Sequence, residues 1–121
     1  MGTTQGSGVW IGRRTHKWTC TAIPNGNQSS VLGANRLSDK TVQVLGTFGA
    51  AGSINIEGSN DGGTTWGILN DSRGKGNPLT FTAAAPPAVI NENPELIRAN
   101  VTAGDGTTAL TVIIVSHTVT R

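Results

Sequence analysis

The stretch from Val42 to Leu69 reads VQVLGTFGAAGSINIEGSNDGGTTWGIL, and it decides the fold class. Three segments of it carry apolar side chains at every second position: Val42 and Val44, Ile54 and Ile56, Trp66 and Ile68. A period of two places these side chains on one face of successive strands. The sequence therefore predicts a three-stranded antiparallel meander with strands near residues 41–48, 53–57 and 64–69.

Two short glycine-rich segments separate these predicted strands. They are Gly49-Ala50-Ala51-Gly52 and residues 59–63, and both have the composition of tight turns. We expect each to close a hairpin, so that the meander has one buried and one solvated face.

Composition extends this interpretation to the whole chain. Of the 121 residues, 17 are Gly and only 13% are charged, against a typical value of about 25%. Thr, Val and Ile suit pleated strands, and no window shows the apolar spacing of a helix. About seven to nine short strands with frequent turns predict a single-domain, all-β antiparallel sandwich with jelly-roll-like character.

The N-terminal region predicts a docking element. Residues 1–8 are small and polar, so we expect a flexible tail before a sandwich domain at 9–121. Apolar and basic residues follow closely, a combination enriched at binding hot spots: Trp10, Ile11, Arg13, Arg14 and Lys17. Two interpretations remain open, since residues 9–40 can form a docking arm or Val9 to Ile11 can be the first strand of the sandwich.

The last predicted strand, Ala109 to Val119, is apolar on both faces. One face carries Leu110, Val112 and Ile114, and the other carries Ile113, Val115 and Val119. Such a strand is either central and covered on both sides or has an outer face that meets another chain. The sequence favours a subunit contact through Ile113 and Val115, with His117 exposed or at the interface.

Catalytic, metal and cofactor sites are not expected. His16 and His117 are the only histidines, and neither lies near Cys20 or a serine in a nucleophile context. Asp61 and Asp105 stand alone in glycine-rich turns, without further ligands at metal spacing. We therefore predict no enzyme activity, no cofactor and no metal.

Nucleic-acid and membrane partners are not expected either. The basic residues outside the N-terminal cluster are scattered singly, including Arg36 and Lys40, whereas a nucleic-acid groove needs several that follow a phosphate backbone. The longest apolar run, residues 112–115, is far shorter than a membrane span.

The segment Ser59–Trp66, SNDGGTTW, resembles the Asp-box hairpin of sialidase-type propellers. Its turn residues are Ser59, Asp61, Gly63, Thr65 and Trp66. In those enzymes the box is a folding device remote from the active site, so the resemblance implies a structural turn with Trp66 packed beneath it. The chain has one such box and no tyrosine, whereas a sialidase needs several blades and a tyrosine nucleophile.

Four further segments together resemble small virion proteins of tailed bacteriophages: TVQVLGTFG at 41–49, IEGSNDG at 56–62, GNPLT at 76–80 and IRANV at 97–101. The resemblance implies a capsid decoration (cement) protein, made in the host cytoplasm, that binds the major capsid protein on the outer head and assembles as a homodimer or homotrimer. It leaves open a tail, neck or fibre-associated protein. A carbohydrate-binding β-sandwich module is the alternative from a different class, although few aromatic residues are available as sugar platforms.

Overall fold

The computed structural model describes residues 2–118, and all regular structure there is β. Its twelve strands, β1 to β12 in chain order, are Thr3–Thr4, Ser7–Trp10, Thr15–Ile23, Gln28–Ser29, Leu32–Gly33, Leu37–Thr47, Ser53–Ser59, Gly67–Ile68, Thr80–Phe81, Ala88–Val89, Leu96–Ala103 and Ala109–Thr118. The twelve strands exceed the predicted seven to nine, because a strand of two residues is too short to show the alternation of apolar residues in the sequence.

Two sheets form the sandwich. One has the strand order β10-β6-β12-β3-β2, and the other is built around β4-β11-β7, with β1, β5, β8 and β9 at its margins. The described pairings are antiparallel except for β1 with β4. The chain passes repeatedly from one sheet to the other, so the predicted jelly-roll-like, all-β antiparallel sandwich is confirmed.

The core lies between the sheets and follows the period-two pattern. In the five-stranded sheet, Val42 lies opposite Ile114, and Ile114 lies opposite Trp18; all three are buried. In the facing sheet, Ile56 lies opposite Ala99 and both are completely buried. Burying each large aliphatic side chain contributes about 1.5–3 kcal/mol, so these rows account for much of the fold's stability.

The predicted meander is wrong in its first hairpin. Strands β6 and β7 lie in different sheets, so residues 48–52 form an arch between sheets. Within that arch Ala51 has a positive φ of 54°. The alternation of apolar residues shows that each strand buries one face. Because two strands joined by a hairpin and two strands joined by an arch have the same alternation, the pattern could not distinguish these connections.

The third predicted meander strand is also much shorter than expected. Only Gly67–Ile68 pairs with β7, Trp66 is half-buried, and Ile68 is 44% exposed. Leu69 enters the core instead. The turn that precedes β8 shifts the alternation by one residue, so the side chains that face inward differ from those that the sequence predicts.

The predicted flexible tail contains strands in the structure. Thr3–Thr4 pairs with β4, and the Gly6 N–H donates to Ser30 Oγ at 2.8 Å. A Cβ on Gly6 would lie 2.5 Å from the Trp18 ring, so this segment packs directly over that side chain. Residues 2–8 therefore help to cover the core, which the small polar composition did not indicate; Met1 lies outside the described residues.

Strand β12 is central in its sheet, since β6 and β3 pair with it on either side. Leu110, Val112 and Ile114 are completely buried against the core, as predicted, and Ile113 and Val115 are half-buried on the outer face. Val119, assigned to this strand from the sequence, lies outside the described residues.

Candidate functional site

A hairpin presents the predicted N-terminal docking residues. Trp10 at the end of β2 lies opposite His16 on β3, and the Ile11 N–H donates to the Thr15 carbonyl at 3.0 Å. Residues 11–14 form its exposed tip, which carries Arg13 and Arg14. The structure therefore matches the second interpretation of this region, because residues 7–10 form a strand of the sandwich and the basic residues lie at its hairpin.

Strand β2 is an exposed edge of the five-stranded sheet. All four of its residues are exposed. The three large apolar residues with the highest exposed fractions among the described residues lie at its end and directly after it: Val9 at 57%, Trp10 at 55% and Ile11 at 57%. The opposite edge, β10, follows Pro86 and Pro87, which lack N–H donors. An edge strand without proline or charge is available for pairing with another chain.

The outer face of the five-stranded sheet brings several predicted interface residues together. One row crosses all five strands in register: Val89, Thr41, Val115, Lys17 and Val9. In the next row Ile113 lies between Gln43 and Thr19. The neighbouring side chains cover part of Ile113 and Val115, so both are half-buried and the most exposed apolar group of this sheet is the β2 edge.

His117 and Trp10 lie at the hairpin end of the same sheet. His117 is exposed opposite Thr15, whose Oγ1 lies 3.2 Å from His117 Nδ1. Trp10 lies in the row of His16, on the side of the sheet opposite to Lys17, and its ring meets the His16 ring edge-on at 4.9 Å. The predicted site residues therefore occupy both faces of one sheet edge rather than a single patch.

A cleft opens between the two sheets beside Trp10. It has a volume of about 340 Å³, and its walls include Trp10, His16, Leu32 and Arg36. Two buried atoms close to this end, His16 Nδ1 and Ser116 Oγ, have no hydrogen-bond partner among the described residues. The cleft combines the exposed indole of Trp10 with the cation of Arg36. Sequence analysis did not predict it, because its walls come from segments that are distant in the chain.

The charged residues among residues 2–38 are all basic. Residues 2–38 contain Arg13, Arg14, Lys17 and Arg36 but no aspartate or glutamate. Strands β2 and β3 and their hairpin therefore carry only positive charge of their own.

The Ser59–Trp66 turn is closed by its own polar groups. Asp61 Oδ1 accepts hydrogen bonds from the N–H groups of Thr64 and Thr65, at 3.1 and 2.9 Å, and from the Ser59 hydroxyl at 2.8 Å. Trp66 Nε1 donates to the Gly63 carbonyl at 2.9 Å. The donors, chiefly Thr65 N–H and then the Ser59 hydroxyl, lower the pKa of Asp61 to about 2. These contacts fit the structural turn that the resemblance implies.

Trp66 is also fixed from the sheet side. The Arg98 guanidinium lies 4.3 Å from the ring centroid, and Arg98 Nε donates to Glu57 Oε1 at 2.8 Å. Trp66 thus packs between its turn and a cation that is itself held by an ion pair.

Lys40 is the residue whose environment the sequence analysis missed. Grouped there with the scattered basic residues, it is completely buried, and its Nζ donates to Asn93 Oδ1. The signal was present, because Lys40 precedes Val42 and Val44 at the same spacing that places those two in the core.

Residues 2–118 contain no group of three or more His, Cys, Asp or Glu side chains that could hold a metal ion. Within the same range, no helix is long and apolar enough to span a bilayer.

Comparison with known proteins gives a likeness of fold. No protein-family model matches the chain, and no curated protein matches it. The crystal structure of the SPBc2 prophage-derived protein YomS is similar with a TM-score of 0.64 and 11% identity, over 89% of this chain and 98% of that one. A cupin domain from Bordetella pertussis gives 12% identity over 98% and 96% of the two chains, but its TM-score of 0.46 is too low to indicate the same fold. At this identity the likeness to YomS shows the fold alone.

Proposed function

We propose that this chain is a structural, non-enzymatic virion protein of a bacteriophage, which binds the outer head surface as a capsid decoration protein and bridges major capsid subunits. The observation that carries the proposal is the β2 edge, where Val9, Trp10 and Ile11 are exposed next to a basic hairpin in a region without acidic residues. Soluble proteins normally protect such an edge, so its exposure favours a docking role.

The edge and the hairpin suit one kind of partner. The outward backbone groups of Ser7–Trp10 can pair with an extended segment, while Val9 and Ile11 contact its apolar side chains. Arg13 and Lys17 would meet carboxylates of that partner. A major capsid protein with an acidic, extended surface segment fits this chemistry, and repetition over a lattice lets each contact remain modest.

The outer face of the five-stranded sheet suits self-association. Where it is formed by β10, β6 and β12, its central row carries Val89, Thr41 and Val115 without a charge, so burying it against a second copy costs little ion desolvation. Ile113 lies in the next row of the same part. We propose that a homodimer or homotrimer forms through this part of the face, which leaves Lys17 and the β2 edge available for the capsid.

The fold is compatible with this role. YomS, which has a similar fold, is a prophage-derived protein, and this origin supports a phage context by analogy of fold. The same observations suit a tail, neck or fibre-associated position, where a docking edge and a self-associating face would serve equally.

A carbohydrate-binding module is the second candidate, and the cleft beside Trp10 favours it. An indole that is 55% exposed at the mouth of a cleft of about 340 Å³ is the type of platform on which sugar rings stack. Titration with a panel of bacterial surface glycans tests it. Saturable binding that Trp10→Ala abolishes would replace the docking proposal, since decoration of a capsid needs no sugar.

Attachment to capsids tests the main proposal. The purified protein is sedimented with purified heads at increasing salt, and we expect saturable binding that weakens as salt screens the basic hairpin. Binding that is absent at low salt, with the protein folded, would overturn the proposal.

A further inference from the structure

The side chain of Lys40 is completely buried among mainly apolar core residues. It lies on β6 in the inward row of Val42 and Val44, and none of its surface reaches solvent. Asp39, whose φ is +48°, precedes it at an irregularity in the pairing of β6 with β12. The exposed Asp39 carboxylate therefore belongs to the solvent side, while the Lys40 amine lies within the protein.

The buried amine lacks the partners that an ammonium ion needs. Two ion pairs occur among residues 2–118, Arg73–Asp71 and Arg98–Glu57, and Lys40 takes part in neither. Its side chain makes one described hydrogen bond, to Asn93, whereas an ammonium has three donors. Burial lowers the pKa of Lys40, against the opposing charges of Asp39 and Glu92, and thereby favours the nucleophilic free amine.

The Asn93 amide is held against this amine by the surrounding loop. The Ile90 N–H donates to the Lys40 carbonyl at 2.9 Å, and the Asn91 N–H donates to the Asn70 carbonyl at the same distance. Pro94, directly after Asn93, is buried. The loop is thus tied to β6 on one side and to residue 70 on the other, and it presents the exposed Asn93 with its Oδ1 hydrogen-bonded to the buried amine.

A carboxylate also acts on this amine, since Glu92 directly precedes Asn93 and its charge raises the pKa of Lys40, although the two side chains form no ion pair. Both oxygens of Glu92 are fixed by Asn70, whose backbone N–H donates to Oε1 at 2.8 Å and whose Nδ2 donates to Oε2 at 2.6 Å. An amine, a side-chain amide and a positioned carboxylate are the groups that an amide exchange between side chains requires.

We propose that Lys40 and Asn93 form an intramolecular isopeptide bond. The Lys40 Nζ lone pair attacks Asn93 Cγ, the new Nζ–Cγ bond forms, and the Cγ–Nδ2 bond breaks. One amine proton passes to the departing Nδ2, which leaves as ammonia. The exchange is redox-neutral and needs no cofactor, and it occurs once in each chain.

The bond would fasten β6, a long strand of the five-stranded sheet, to the loop that leads from β10 to β11. It closes a loop between residues 53 positions apart, which restricts the unfolded chain and resists mechanical separation of the two sheets. The inference stands independently of the capsid proposal, since it rests on different residues and its test involves no partner.

Intact mass spectrometry of the purified full chain tests the bond. We expect a mass lower than the sequence mass by one ammonia, and full sequence mass for Lys40→Met and for Asn93→Ala. The matched control Asn91→Ala, an exposed neighbour in the same loop, keeps the loss.

Peptide mapping separates this bond from another loss of ammonia. Succinimide formation at Asn25-Gly26 gives the same mass change, so the decisive observation is a branched peptide that joins the segments around Lys40 and Asn93. A wild-type chain at full sequence mass, with Lys40 open to an amine reagent after denaturation, would overturn the proposal, as would a loss that maps to residue 25.

Discussion

Val115 lies directly opposite Lys17 on the outer face of the five-stranded sheet, at the centre of a row that ends at the exposed edge residue Val9. This relationship links the two surfaces on which the proposed function depends. The β-branched face and the basic edge share one sheet, so a substitution in either can be compared with a substitution on the opposite sheet.

The first prediction concerns self-association. Ile113→Lys with Val115→Lys places two like charges at the centre of the outer face, and we expect a folded protein whose mass in solution falls to that of the monomer. Ile68→Lys, on the other sheet at 44% exposure, is the matched control and should keep the wild-type mass. An unchanged mass of the double variant would locate the interface elsewhere.

The second prediction concerns the hairpin. Arg13→Glu with Lys17→Glu reverses two charges in the acid-free region, and we expect capsid attachment at low salt to fall at least tenfold. Lys75→Glu in an exposed turn changes charge in the same direction and should weaken attachment far less. The double variant changes the net charge by −4 and Lys75→Glu by −2, so a loss of binding free energy in Lys75→Glu about half that of the double variant would mean that only the net charge matters.

The third prediction concerns the N-terminal cover of the core. Gly6→Val places a Cβ 2.5 Å from the buried Trp18 ring, and we expect the free energy of unfolding to fall by about 1–3 kcal/mol because one of the two must move. Chemical denaturation measures this loss. Gly67→Val, at a glycine with open space around the added Cβ, is the control. No loss in Gly6→Val would show that residues 2–8 do not cover Trp18 in solution.

The fourth prediction concerns Trp66. Because this side chain is half-buried, Trp66→Ala should lower the free energy of unfolding by about 2 kcal/mol, less than the roughly 3–5 kcal/mol of a buried tryptophan. The loss combines the Nε1 hydrogen bond to Gly63 with the contact to Arg98. A change within measurement error would mean that the turn does not need its tryptophan.

The fifth prediction concerns acid stability. The pKa values of Asp61 and Asp105 lie at about 2 in the folded protein, against 3.8 for a free aspartate. Because these pKa values are lowered in the folded protein, the two carboxylates stabilise the folded state fully above about pH 3.8. They lose this effect as the pH falls towards 2. We expect the melting temperature to fall across that range, and less steeply in Asp61→Asn with Asp105→Asn. Parallel curves would contradict these assignments.

Much of the fold follows from the alternation of apolar residues. The buried faces of β6, β7, β11 and β12 match the period-two pattern, because a strand on a core must bury every second side chain. The partner of each strand does not follow from it. Whether residues 48–52 form a hairpin or an arch depends on packing between sheets, and the same local pattern satisfies both.

The candidate site was predicted in its composition but not in its arrangement. Trp10, Ile11 and Arg13 were predicted from the sequence as interface residues, and the pairing of β2 with β3 shows that they lie at an exposed edge and its hairpin. Lys40 was grouped with surface cations because lysine is rarely buried. Its contact with Asn93 joins residues far apart in the sequence, which no local pattern reports.

The most direct test of the capsid proposal is whether the purified protein sediments with purified heads of a phage whose genome encodes it. The account predicts saturable binding at a stoichiometry fixed by the lattice, lost in Arg13→Glu with Lys17→Glu and kept in Lys75→Glu. Folded protein that remains in the supernatant at every concentration and at low salt would contradict it.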